Sequence, residues 1–208
     1  MTYELEHINP HDIGYKDFWI KIEHIGRYLF ARDFIKSHKY IKNVYDVACG
    51  SGYGSILLAE QNVDVFAFDN NSEIINSLKV KYANQNRIKF ICQCLAKQPF
   101  TNVNEEDKLG LIVCFETLEH LMEPRKLLSE FYNVLDENGY LMLSVPNEKY
   151  ELVDENLVPL GKFHKVLLSK FRIEKYLKDQ GFEIIGRFGQ ALLKKLVKRE
   201  NRLFKKNI

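Results

Sequence analysis

The run Val44-Tyr-Asp-Val-Ala-Cys-Gly-Ser-Gly-Tyr-Gly54 gathers the residue types from which a ligand cradle is built. A short apolar stretch carrying the acid Asp46 opens into three glycines, Gly50, Gly52 and Gly54. A glycine removes the Cβ where the backbone turns sharply and a ligand must come close. The loop's N–H groups and the start of the next helix can then receive polar ligand atoms. The spacing is G-x-G-x-G, with Ser55 where a dinucleotide fingerprint would place its third glycine, which disfavours a nicotinamide cofactor. A second acid, Asp69, closes the apolar run Val63–Asp69, 17 residues after Gly52. From there a carboxylate can accept hydrogen bonds from both ribose hydroxyls of an adenosine. A third run, Leu109–Leu121, delivers Glu116 and His120. An unperturbed imidazole titrates near neutral pH and can move a proton there. A fourth, Asn138–Asn147, is a turn and strand closed by Pro146.

These groups need a frame that brings them to one edge. From Asp17 to His38, apolar residues at helical spacing (Phe18, Ile22, Ile25, Leu29) predict an amphipathic helix, broken near Gly26. Beyond it, strands are predicted near 44–48, 63–68, 88–92, 110–115, 139–145 and 182–188. Helices alternate with them near 53–61, 72–84, 124–136 and 169–180. Asn71 or Ser72 caps the second of these helices and Ser169 the last. Pro124 suits the first turn of the third, and Asn138-Gly139 is expected to stop it and turn into the next strand. Such alternation implies βαβ units, a largely parallel sheet and a ligand at the carboxyl ends of the strands. Every chemistry-bearing residue named above falls at such an end.

The segments Asp46–Ser55, Phe115-Glu-Thr-Leu-Glu-His-Leu121 and Leu141-Met-Leu-Ser-Val-Pro-Asn147 resemble the class I S-adenosylmethionine-dependent methyltransferases. Glu23–Ala31, Phe163-His164 and Gln180-Gly-Phe182 fit the same pattern, so the resemblance spans roughly residues 20 to 190. It is closest to small bacterial members associated with surface-polysaccharide and sugar modification. The implied architecture is α/β: a Rossmann-like three-layer αβα sandwich on a mostly parallel twisted sheet, with the seventh strand short, displaced or missing. The implied cofactor is S-adenosyl-L-methionine, with its methionine head over Ala48 to Gly52 and Asp46 ordering that loop. Arg27 would pair with the methionine carboxylate and Asp69 with the ribose, while Glu116 would contact the amino group or shape the loop. Phe68 or Asn70 would flank the adenine. Relatives often carry an acid after the third strand, where this chain has Cys94. A thiol is a poor acceptor for the adenine amino group, so backbone groups at Cys94, Leu95 or Ala96 would have to do more.

Methyl transfer mainly needs alignment, plus deprotonation where the acceptor is a hydroxyl. His120 is the candidate base, with a structural brace of the short helix as its alternative. Asn147 and His164 lie in the loop expected to overhang the acceptor. By resemblance the acceptor is a hydroxyl, less readily an amine, on a sugar, nucleotide-sugar or glycolipid precursor. A non-catalytic cofactor-fold partner of a glycosyltransferase is the rival reading. No His–carboxylate cluster stands at ligand spacing, so no metal is expected.

The 208 residues, 46% of them hydrophobic, suit one domain with a substantial core. Residues 1–190 would be the methyltransferase domain, with 1–40 an arm and helix covering the site. The balance of 30 basic and 28 acidic residues marks no partner, and no basic stripe interleaved with aromatics suggests nucleic acid. Cys49, Cys92, Cys94 and Cys114 fall in or beside predicted strands, without a second pair at zinc spacing, and are expected to be buried, reduced thiols. No signal peptide or membrane span is read, and a cytoplasmic location is expected. Residues 191–208 carry seven basic residues and one acid through Lys206 at helical apolar spacing. They predict a basic amphipathic helix that packs on its own domain, or meets an anionic membrane or a glycosyltransferase.

Overall fold

The computed structural model describes residues 18–95, 97–100, 109–148, 154, 156 and 163–189. Helix α1 (Phe18–Ser37) leads into β1 (Asn43–Val47), α2 (Tyr53–Ala59), β2 (Asp64–Asp69), α3 (Ser72–Lys81) and β3 (Ile88–Cys92). After these come β4 (Leu109–Phe115), a 3₁₀ turn (Leu118–His120), α4 (Pro124–Val134), β5 (Leu135–Ser144) and α5 (Lys170–Asp179). The strands form one parallel sheet in the order β3-β2-β1-β4-β5. This is the α/β architecture that the alternating pattern predicts.

Strand β1 is central, and Val44, Tyr45, Asp46 and Val47 are all buried. Val47 pairs with Phe68 of β2 and Cys114 of β4, so these three strands end level with one another. Strand order reverses between β1 and β4, and their carboxyl-end loops diverge there to leave room for a ligand. Both faces of the sheet are covered. Along β4, Leu111 and Val113 join the core beneath α1 and α2, while Ile112 and Cys114 join the core beneath α4 and α5. A strand's side chains alternate between faces, so a strand buried on both sides reads as an unbroken apolar run. The caps lie where the sequence puts them. Asn71 accepts from the Glu73 and Ile74 N–H groups, Ser169 accepts from that of Arg172, and Pro124 opens α4.

Several expectations are corrected. Helix α1 runs unbroken through Gly26. Asn138-Gly139 does not stop α4, which ends at Val134 and passes straight into β5. Leu135 pairs with Leu109 and Tyr140 with Leu111, so the extra residues bulge out of the ladder. Gly139 lies there because a Cβ would stand 2.8 Å from the Leu109 carbonyl oxygen. The expected strand at 182–188 is not formed. Phe182 and Ile184 are half-buried between exposed neighbours, as in an extended chain, yet side chains hold the segment. The Phe182 ring meets Tyr132, Arg187 pairs with Glu174 of α5, and Phe188 packs on Phe30 of α1. Phe68 is 1% exposed and lies in the core against Tyr45 and Phe100, so it cannot flank an adenine. All four thiols are free, but Cys92 is exposed and Cys94 half-buried. The N-terminal arm and the basic segment 191–208 lie outside the described residues. No helix among the described residues is long and apolar enough to cross a membrane.

Candidate active site

The loop after β1 turns through three left-handed residues, Ala48 (φ 58°), Gly50 (φ 51°) and Gly52 (φ 73°). The glycines have different surroundings. Among the described residues, a Cβ on Gly50 would have nothing within 4 Å, so space is open above it. A Cβ on Gly52 would press on Leu78 and Phe90 at 3.0–3.2 Å, so Gly52 lets α3 and β3 pack close. One expectation changes, because several loop N–H groups are already used. Cys49 N donates to the Phe68 carbonyl (2.9 Å), Gly50 N to Asp69 Oδ2 (3.0 Å) and Gly52 N to the Cys49 carbonyl (3.0 Å). At these positions the loop supplies room rather than donors. Asp69 also accepts from Asn71 N (2.9 Å), so its carboxylate ties the glycine loop to the start of α3.

Asp46 is fully buried and bridges two helices. It accepts from Tyr28 Oη of α1 at 2.9 Å and from Ser55 Oγ of α2 at 2.6 Å. It therefore orders the loop from behind, through α1 and α2. Burial pushes its carboxyl up to about 6, against the lowering effect of the two hydroxyls. Gly54 matters here because a Cβ would intrude on the Tyr28 ring. His24, Arg27 and Tyr28 share one face of α1 by their i, i+3, i+4 spacing. Burial, and then the Arg27 charge, lower His24 to about 4. Burial raises the Cys49 and Cys114 thiols, which keeps them protonated and unreactive.

At the end of β4, Glu116 has φ 48°, an uncommon conformation for a side-chain-bearing residue. It is held by β5: its N–H donates to the Ser144 carbonyl (3.0 Å), and Ser144 Oγ donates to Glu116 Oε1 (2.7 Å). The same oxygen lies 3.4 Å from Arg27 Nη2, and Arg27 is mostly buried. Helix α1 and strand β4 thus meet in an ion pair at the mouth of the switch point.

The 3₁₀ turn carries Glu119, which is 2% exposed, and His120. His120 Nδ1 lies 3.2 Å from the Phe163 carbonyl oxygen. A carbonyl only accepts, so that nitrogen carries the proton and the ring's lone pair lies on Nε2. The Lys165 and Val166 N–H groups both donate to the Glu119 carbonyl, at 2.7 and 3.2 Å. His164 therefore lies against His120, with ring centroids 5.0 Å apart.

Of the remaining candidates, Asn70 is exposed after β2, and Cys94 is half-buried with its carbonyl accepting from Lys97 and Gln98 N–H groups. Leu95 packs against the core, Asn147 is exposed after β5, and Ala96 lies outside the described residues. Four participants escaped the sequence reading: Tyr28, Ser55, Ser144 and Glu119. Tyr28 adjoins Arg27 and Glu119 adjoins His120, but nothing local signals that Ser55 and Ser144 face carboxylates.

A methyltransferase domain family model matches residues 22–186. Over 148 residues the chain is 27% identical to a protein described as "probable S-adenosylmethionine-dependent methyltransferase" of Mycolicibacterium smegmatis, covering 71% of this chain and 54% of that protein. Over 110 residues it is 27% identical to a ubiquinone biosynthesis O-methyltransferase of Coxiella burnetii, covering 53% and 46%. The chain thus spans about half the length of these curated relatives. A magnesium protoporphyrin IX methyltransferase of Synechocystis, solved with S-adenosylhomocysteine bound, shares the fold at 20% identity and TM-score 0.62, over 86% of this chain and 81% of that one. The chain belongs to the methyltransferase domain family. Within that family it is a class I S-adenosylmethionine-dependent methyltransferase domain.

Proposed function

We propose that this protein transfers a methyl group from S-adenosylmethionine to a hydroxyl oxygen of a small molecule. One observation carries the reading: an open glycine, an acid and an ion pair converge at the ends of β1, β2 and β4. The cofactor supplies an electrophilic methyl group on a sulfonium, and its departure leaves a neutral thioether. Arg27 and Glu116 offer a cation and an anion to a zwitterionic amino-acid head. The open space over Gly50 admits that head beside the loop. Asp69 is the acceptor for the ribose hydroxyls, exchanging or sharing its bond from Gly50 N. Backbone groups near Cys94 and Leu95, with Asn70, frame the adenine side. The strained backbone of Ala48 and Glu116 fits a binding role, since such strain concentrates where ligands are held.

The His120 Nε2 lone pair is the group that activates the acceptor, with Asn147 and His164 on the acceptor side. An oxygen acceptor is favoured by that lone pair and by the named O-methyltransferase relative. A sugar, nucleotide-sugar or glycolipid precursor is the class that the motif resemblance supports. The test is turnover of labelled S-adenosylmethionine with hydroxylated sugars, nucleotide sugars, phenols and amines. Expected is an O-methyl product formed one-to-one with S-adenosylhomocysteine, and a kcat about 10²–10⁴-fold lower in His120→Ala. Cofactor binding without turnover across that panel would overturn the catalytic reading in favour of a binding protein.

A further inference from the structure

Glu119, His120 and His164 offer one oxygen and two nitrogen donors, all within 4.8 Å of one another. The 3₁₀ turn and the segment around His164 are clamped together by two backbone bonds to the Glu119 carbonyl. His120 is oriented by the Phe163 carbonyl through Nδ1, as metal-binding histidines are commonly oriented through their other ring nitrogen. Its Nε2 stands 4.0 Å from Glu119 Oε1. That is too long for a direct hydrogen bond. It is short enough for one ion, because two donors with bonds of about 2.1 Å can lie up to about 4.2 Å apart. Glu119 is buried beside two imidazoles, so one carboxylate and two histidines are gathered where a single cation can meet all three.

We propose that these three residues form a divalent-cation site, and that the acceptor hydroxyl binds the cation there. Two imidazoles with one carboxylate suit zinc, manganese, cobalt or ferrous iron better than magnesium or calcium. Three protein ligands leave positions open for an acceptor oxygen. This role rests on the methyl-transfer reading above, and it places the Nε2 lone pair on the metal. A bound cation lowers the pKa of a coordinated hydroxyl, which releases its proton to solvent. The oxygen lone pair then forms the O–CH₃ bond as the C–S bond breaks, and that electron pair leaves on the neutral sulfur.

The test is calorimetric titration of Zn²⁺ and of Co²⁺ into chelator-treated, dialysed protein, with S-adenosylhomocysteine titrated in parallel. The wild type should bind one ion per chain. Glu119→Gln and His164→Ala should each bind it at least tenfold more weakly. His164 is half-buried, so His164→Ala tests the site even where the buried Glu119 variant fails to fold. Circular dichroism in chelator should match the wild type for His164→Ala. Absence of saturable metal binding, or equal affinity in folded His164→Ala, overturns the site. If S-adenosylhomocysteine still binds in that case, the methyltransferase reading stands without it. Metal binding at the trio without S-adenosylhomocysteine binding would keep the site and remove its catalytic role.

Discussion

Gly54→Ala sets two physical effects against each other. Replacing a helical glycine by alanine ordinarily stabilises by about 1 kcal/mol. Here the new Cβ would stand 2.5 Å from Tyr28 Cδ1 and nearer still to Cε1 and Cζ. Apolar contacts settle at about 3.5–4.0 Å, so the ring must recede by about 1 Å or more. It has little space to do so. Tyr28 is 6% exposed, packs edge-on against Tyr53 and Phe115 at 5.2 and 5.1 Å, and donates to Asp46. Overpacking of this kind costs about 1–3 kcal/mol. Losing a hydrogen bond to a charged group adds about 1.5–3 kcal/mol. Less the helix gain, the net destabilisation should be about 1.5–5 kcal/mol. Urea unfolding followed by circular dichroism reads it directly. A Tyr28→Ala background identifies the cause, because there Gly54→Ala should be neutral or stabilising. A Gly54→Ala protein as stable as wild type, or an equal penalty without the Tyr28 ring, would refute this account of the α1–α2 contact.

Asp46 and His24 should oppose each other in the pH dependence of stability. Asp46 is raised from 3.8 to about 6, so its contribution is full below pH 3.8 and lost as pH rises through 6. His24 is lowered from 6.5 to about 4, so its contribution is full above pH 6.5 and lost as pH falls through 4. Each shift corresponds to about 3 kcal/mol, and the two nearly cancel in the wild type. Relative to wild type, Asp46→Asn should gain stability as pH rises from 4 to 6.5, and His24→Gln should lose it. Parallel urea-midpoint profiles for the three proteins would contradict this. Gly50→Ala should leave stability within about 1 kcal/mol, since only its φ is strained. It should still weaken S-adenosylhomocysteine binding at least tenfold by filling the open space, so unchanged affinity would show that the ligand does not pass there.

The frame of the site was legible because its signals are local. Asp46 lies within one largely apolar run and Asp69 closes another, Asn71 and Ser169 cap their helices, and the glycines punctuate one turn. What escaped is set by contacts between distant segments. Asp46 reads as a loop-ordering acid, but it meets Tyr28 from one helix and Ser55 from another. Arg27 and Glu116 read as separate ligands of a methionine head, whereas here they pair with each other and Ser144 joins them. His164 stands far along the chain from Glu119 and His120, so ligand spacing cannot show the trio that backbone bonds assemble. The segment at 182–188 has the alternation of a strand, but strand formation also needs a paired neighbour, which local pattern does not encode.

The central claim is that the open glycine loop and Asp69 bind the adenosyl cofactor. Calorimetric titration of S-adenosylhomocysteine into wild type and Asp69→Ala tests it most directly. The account predicts micromolar binding to the wild type, weakened at least tenfold in the variant, a loss of about 1.4 kcal/mol or more. A well-folded wild type that does not bind, or equal affinity in Asp69→Ala, would contradict it.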